Sequence, residues 1–152
     1  MHIDSWSMTE AVETIETYIE KDISDLTEEH KILYVEKLKE KLNNITNLKT
    51  QPVNHIRWVD IDKVQANDYN PNSVAKVEMG LLYTSIKHDG YTQPVVTIFD
   101  EKLDKYIIVD GFHRYFVCKS NKDILERNHG KLPIVVIDKD INDRMASTVR
   151  HN

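Results

Sequence analysis

The apolar run Tyr106-Ile107-Ile108-Val109 stops at Asp110-Gly111, and a helical pattern opens at once with Phe112-His113-Arg114-Tyr115. A strand that passes through a tight turn straight into a helix constrains both the fold and the chemistry of its junction. The first N–H groups of a helix have no intrahelical acceptor, and the peptide dipoles add positive potential at that end, so the junction is a ready anion site. Gly111 lets the backbone bend without a Cβ and leaves room for a bulky anion such as phosphate. His113 and Arg114 add side-chain donors, and Phe112 lies between them and the glycine. Asp110 stands at the helix N-cap position or just before it, where it can cap the helix, orient His113 or hold a cation. The same spacing also describes a capped helix with a partly buried His–Arg pair, and the local pattern leaves both readings open.

On either side of this junction the elements are short and mixed. Ser7-Met8-Thr9-Glu10 has capping-box form and predicts a helix from about Met8 to Lys21. A second, longer helix starts at Ser24, Asp25 or Thr27 and carries Ile32, Val35, Leu38, Leu42 and Ile45 on one face. The pair reads as a helical hairpin over residues 1–50 whose Glu- and Lys-rich face is solvated, with partner docking or dimerisation as the sharper alternative. Asn47 to Asn54, with Pro52, reads as a linker. A β-prone stretch, Ile56 to Ile61, precedes the turn Asn70-Pro71-Asn72. Ser73 then offers a cap for a helix that runs to Gly90. Pro94 to Phe99 and Tyr106 to Val109 predict a β-hairpin, Pro133 to Ile137 another strand, and Asp140 to Asn142 the start of a last helix. This order suits a compact α+β domain over residues 51–152 better than a doubly wound parallel sheet.

Charge and cysteine usage narrow the function classes. With 20 Lys and Arg against 25 Asp and Glu, the net charge of −5 gives no support to a broad basic face, so DNA binding by this segment is a weak expectation. One cysteine, Cys118, excludes an intrachain disulfide framework, and the first residues do not read as a signal peptide. No apolar run approaches a membrane span, so a cytoplasmic protein is expected. The seven histidines show no zinc-ligand spacing, and no Gly-rich lysine loop is present. Cys118 lies one and a half helical turns past the anion-binding end, where a packing role is expected. The polar loops Asn67 to Asn72, Gln93 and Arg144 to Asn152 are the candidates to converge on the junction.

The order Val59-Asp60-Ile61-Asp62-Lys63-Val64, Asn70-Pro71-Asn72, a helix to Gly90, Gln93-Pro94-Val95 and Val109 to Tyr115 resembles the ParB/sulfiredoxin superfamily over roughly residues 56–152. Its members include partition proteins that bind and hydrolyse CTP, sulfiredoxins that use ATP, and free-serine kinases. The resemblance implies a ParB/sulfiredoxin-like mixed sheet with packed helices that binds a nucleoside triphosphate or diphosphate, with Mg2+ as a companion ion. Gly111, His113 and Arg114 match the phosphate-binding turn, and Phe112 falls inside it. Asn70 and Asn72 match the Asn-Pro-Arg loop with its arginine replaced, and Asn152 matches an asparagine whose neighbouring glutamate is His151 here. With Gln93 these residues make up the expected nucleotide site. Asp110 and His113 are the expected catalytic groups, with Asp110 also on the metal.

The tail Met145 to Asn152 is similar to an IbrB-like subgroup. That likeness implies a chain continuing past Asn152, a phosphoadenylylsulfate-reductase-like protein partner and a regulatory role. Phe112 stands where sulfiredoxins carry their cysteine, so sulfinic-acid reduction is not expected. The kinases' catalytic glutamate has only Asp68 as a substitute. The reading is a nucleotide-binding domain with NTP hydrolysis or phosphoryl transfer as its enzymatic option. The alternative is a DNA-associated or transcription-regulatory module in which the pocket is a switch or a vestige.

Overall fold

In the computed structural model, residues 5–67 and 76–138 are described, and the chain divides into two compact units, Met1–Lys41 and Leu42–Asn152. The first is helical. Helix α1 spans Ser5–Ile23 and α2 spans Glu28–Asn43, its last two residues falling in the second unit. The expected cap at Ser7 is not used, because the helix is already under way there: the Thr9 hydroxyl donates to the Ser5 carbonyl one turn back (2.8 Å). Thr27 does cap α2, its Oγ1 accepting from the His30 N–H at 3.2 Å. Ile45, expected on the apolar face of α2, lies beyond the helix end.

Among the described residues of the second unit, five short strands pair into one mixed sheet in the order β1-β5-β3-β4-β2. They are β1 (Arg57–Asp60), β2 (Val64–Gln65), β3 (Val95–Asp100), β4 (Lys105–Asp110) and β5 (Lys131–Val136). The β3–β4 hairpin is antiparallel, as expected from its two apolar runs and polar loop. β5 runs parallel to β3, β1 antiparallel to β5, and β2 parallel to β4. β1 and β2 lie at opposite edges yet are joined only by the 3-10 turn Ile61–Lys63. Four strand spacings in a flat sheet come to roughly 19 Å, and four fully extended residue steps reach at most about 14 Å. The sheet must therefore curl until its edges approach. Lys63 bridging to Asp104 and Lys105 donating to the Asp62 carbonyl hold this connection against the start of β4.

Among the described residues, helices α3 (Lys76–Asp89), α4 (Phe112–Ser120) and α5 (Lys122–Arg127) pack on the sheet. Ile108, Ile124, Leu132, Ile134, Val95 and Val117 are fully buried between them. Each such side chain contributes roughly 1.5–3 kcal/mol relative to exposure. α3 stops where Gly90 takes φ +76 and its N–H returns to the Ile86 carbonyl (2.9 Å). Arg127 ties α5 to the same end, donating to the carbonyls of Ile86 and Lys87. The stretch expected as a linker instead forms two 3-10 turns, Asn47–Thr50 and Pro52–Asn54, inside the second unit. The Thr46 side chain accepts from Leu48 N–H, and Pro52 fixes φ at the start of the second turn. The expected last helix at Asp140 to Asn142 and the cap at Ser73 lie outside the described residues.

Candidate functional site

The junction after β4 is built as its sequence requires. Gly111 is the N-cap of α4 at φ +98, ψ 25, in the left-handed region, and Asp110 is therefore the residue before the cap. The first intrahelical bond runs from Tyr115 N–H to the Gly111 carbonyl (3.1 Å), which leaves the N–H groups of Phe112, His113 and Arg114 in the unpaired first turn. Gly111 is needed for space as well as for conformation. A Cβ there would lie 2.7 Å from Arg114 Nη2, because the guanidinium folds back over the turn.

Arg114 joins three segments. Its Nη2 donates to the Pro94 carbonyl (3.2 Å) and lies 4.0 Å from Asp110 Oδ2, and its own carbonyl accepts from the Tyr91 hydroxyl (2.6 Å). The loop before β3 is thereby tied to the turn after β4 through both side chain and backbone. The antiparallel register sets Val96 opposite Asp110 and makes this reach short. Two polar atoms remain: Arg114 Nε, a donor, and His113 Nε2, a donor in the tautomer that carries its proton there, are buried side-chain atoms without a hydrogen-bond partner. Leaving such atoms unpaired costs about 1–3 kcal/mol each, which an incoming acceptor recovers.

Burial, and then the Arg114 cation, hold the His113 imidazole below its ordinary pKa, while Glu78 and Asp110 pull it the other way. Both of those first causes favour the neutral imidazole, and an anion bound beside it would raise its pKa. The Phe112 ring meets His113 edge-on, its centroid 5.9 Å away, and packs near Tyr115 and Phe116 against the core. Its side chain is part of the wall, and only its N–H belongs to the first turn.

Gln93 is exposed one residue before Pro94, next to Arg114's acceptor. Asn67 is buried, and the parallel pairing of β2 with β4 carries it toward the Asp110 end of the sheet. Asn70, Asn72 and Asn152, also expected at the site, lie outside the described residues. Cys118 is fully buried. Its thiol donates to the Lys131 carbonyl, with Asn128 donating to the sulfur, and burial pushes its pKa up, away from the thiolate form. Among the described residues no group of three His, Cys, Asp or Glu can hold a metal ion, and no helix is long and apolar enough to cross a membrane. Sequence reasoning passed over Tyr91, the Pro94 carbonyl and Glu78. The first two sit beside the Gln93-Pro94 pair already singled out, whereas Glu78 acts from a different helix and left no local signal.

The sequence profile of the ParB N-terminal domain matches residues 44–149. YbdM of Escherichia coli (strain K12) is 35% identical over 130 residues, covering 86% of this chain and 62% of YbdM. The chain thus spans about three fifths of that relative, and the match is longer than the second unit, so it runs into the helical hairpin. Among solved structures, the C-terminally truncated chromosome-partitioning protein ParB from Caulobacter crescentus, complexed with CTP-gamma-S, has a TM-score of 0.51 at 22% identity, over 62% of this chain and 50% of that one. SbnI from Staphylococcus aureus, also C-terminally truncated, has a TM-score of 0.44 at 20% identity, over 59% and 33%. At these identities the likeness to the ParB structure is one of fold.

Proposed function

The chain belongs to the ParB N-terminal domain family, and on that premise we propose that the start of α4 binds the phosphates of a nucleoside triphosphate. One observation carries the reading: two buried side-chain nitrogens, His113 Nε2 and Arg114 Nε, lack partners beside a first helical turn opened by a left-handed glycine. A phosphate accepts from backbone N–H groups, an imidazole and a guanidinium together, and the helix dipole favours its charge. CTP is the first base to try, because the ParB structure of the same fold holds CTP-gamma-S. Mg2+ is usually held by one or two carboxylates plus phosphate oxygens, and Asp110 is the carboxylate at this turn that would hold it.

In this reading Phe112, His113 and Arg114 fix the phosphate chain through their N–H groups and side chains. Gln93 contributes from the loop before β3, and Asn70, Asn72 and Asn152 are the further nucleotide contacts that the family resemblance implies. Asp110 would hold the ion, which would neutralise phosphate charge, and His113 would donate to charge developing on phosphate oxygens, the arrangement that hydrolysis or phosphoryl transfer needs. Calorimetric titration of CTP, ATP, GTP and ADP with and without Mg2+ tests binding, and phosphate release measured alongside tests turnover. Binding without turnover would leave the site a nucleotide switch. Failure of every nucleotide to bind would reject the proposal.

A further inference from the structure

The loop between α3 and β3 meets Arg114 twice. Tyr91 donates its hydroxyl to the Arg114 carbonyl at 2.6 Å, and further along the loop the Pro94 carbonyl accepts from Arg114 Nη2 at 3.2 Å. One residue of α4 is thus held at its backbone and at the far end of its side chain by a single short loop. The Tyr91 end of that loop is itself anchored. Gly90 at φ +76 turns the chain at the end of α3 with its N–H on the Ile86 carbonyl, and Arg127 of α5 donates to the Ile86 and Lys87 carbonyls beside it. The Tyr91 ring packs against the core, and burial above all raises the pKa of its hydroxyl, which stays a donor at neutral pH.

We infer that Tyr91 is a positioning residue for nucleotide binding, acting through Arg114; this rests on the reading of the α4 start as a phosphate site. In an α-helix a carbonyl already accepts from the N–H four residues on, so the Tyr91 bond is not needed to pair the backbone of α4. What it adds is position. A helix can turn about its own axis unless a group outside it holds a point on its surface, and the Tyr91 hydroxyl, fixed to the end of α3, holds the Arg114 carbonyl. A small turn of the helix moves the end of a long side chain further than it moves the backbone, so the guanidinium gains most from that hold. With the carbonyl on Tyr91 and Nη2 on Pro94, the place of the unpartnered Nε is set from both sides. A displacement of about 1 Å in a site can cost on the order of a hundredfold, so fixing this donor matters more to binding than one hydrogen bond does to the fold.

Tyr91→Phe keeps the ring in the core and removes only the bond. Calorimetric titration of the full chain with CTP, ATP, GTP and ADP in the presence of Mg2+ is expected to show the affinity of the bound nucleotide falling roughly threefold to tenfold in this variant, with the far-ultraviolet circular dichroism unchanged. Cys118→Ser, whose thiol lies between Lys131 and Asn128, is the control for lost stability: it is expected to lower the melting temperature and leave affinity as it was. In an Arg114→Ala background, Tyr91→Phe is expected to change affinity by less than about twofold, because the side chain it positions is gone. An affinity unchanged by Tyr91→Phe overturns the inference. So does an equal loss in both backgrounds, which would put the effect of the hydroxyl outside Arg114, or a Tyr91→Phe chain that does not fold, which would make the hydroxyl a requirement of the fold. Failure of every nucleotide to bind the wild-type chain is a separate result, seen before any variant is made: it rejects the phosphate reading, and the positioning role with it.

Discussion

Gly111 is the residue at which conformation and function are hardest to separate. Any side chain there meets a φ of +98 as well as the Arg114 guanidinium. Left-handed backbone costs an ordinary residue about 1–2 kcal/mol, and Arg114 must swing off Pro94 to make room. Gly111→Ala is therefore expected to lower the melting temperature and weaken nucleotide binding together. Arg114→Ala separates the two effects better. A charge-assisted hydrogen bond is worth about 1.5–3 kcal/mol, so loss of the phosphate contact should weaken binding roughly tenfold to a hundredfold, while loss of the Pro94 contact lowers stability modestly. Unchanged affinity with a lowered melting temperature would reduce Arg114 to a structural tie. His113 supplies a pH signature. Its folded pKa lies below the unfolded value near 6.5, so the unfolded chain binds more protons as pH falls. The stability it contributes is complete above pH 6.5 and lost below, and His113→Gln should flatten that part of the melting profile. Bound phosphate shifts the same pKa upward, so nucleotide affinity in the native protein should rise as pH falls toward 6.

The elements that sequence reasoning reached are those whose signal is local. The strand, glycine and helix start from Tyr106 to Tyr115 are contiguous, and the β3–β4 hairpin needs only two apolar runs and a short polar loop. β2 escaped because it is two residues long and exists only through parallel pairing with β4, forty residues further on. β5 was expected to run from Pro133 to Ile137, but it spans Lys131–Val136 and so carries a proline in its interior. The proline is tolerated because the pairing of β5 with β3 starts only at Ile134, one residue later. Lys131 is buried along its stem and reaches Asp60 Oδ1 at 2.8 Å, a contact made legible only by the β1–β5 register. Cys118 is where this packing gives a prediction on α4. The thiol sits between Lys131 and Asn128, one and a half helical turns beyond the start of α4, so Cys118→Ser should cost about 1–2 kcal/mol of stability and leave nucleotide affinity unchanged. A large loss of affinity at unchanged stability would mean that the helix faces the ligand differently.

For the whole molecule the question is whether the proposed phosphate site needs the helices that precede it. The family profile begins at residue 44, the second unit at Leu42, and every contact found at the site, from Tyr91 through Pro94 to Asp110, His113 and Arg114, falls within that unit. Its core is likewise its own, drawn from Ile61 to Ile134. The boundary matters more than sequence reasoning allowed. A cut near Lys49 would remove Thr46, which caps the first 3-10 turn, and Asn43, whose Oδ1 accepts from Asn54 Nδ2 at 2.7 Å. A chain beginning at Leu42 keeps both. It is expected to unfold in one cooperative transition with a melting temperature within a few degrees of the full chain, and to bind nucleotide with the same affinity in calorimetry. A chain beginning at Thr50 should melt several degrees lower, since one lost cap and one lost hydrogen bond together come to about 1–2 kcal/mol and a domain of this size loses roughly 4–8 °C per kcal/mol. If the chain from Leu42 instead melts without cooperativity, the two units form one folding domain. If it folds but no longer binds a nucleotide that the full chain binds, the site draws on the hairpin, and the placement of the whole function in the second unit is wrong.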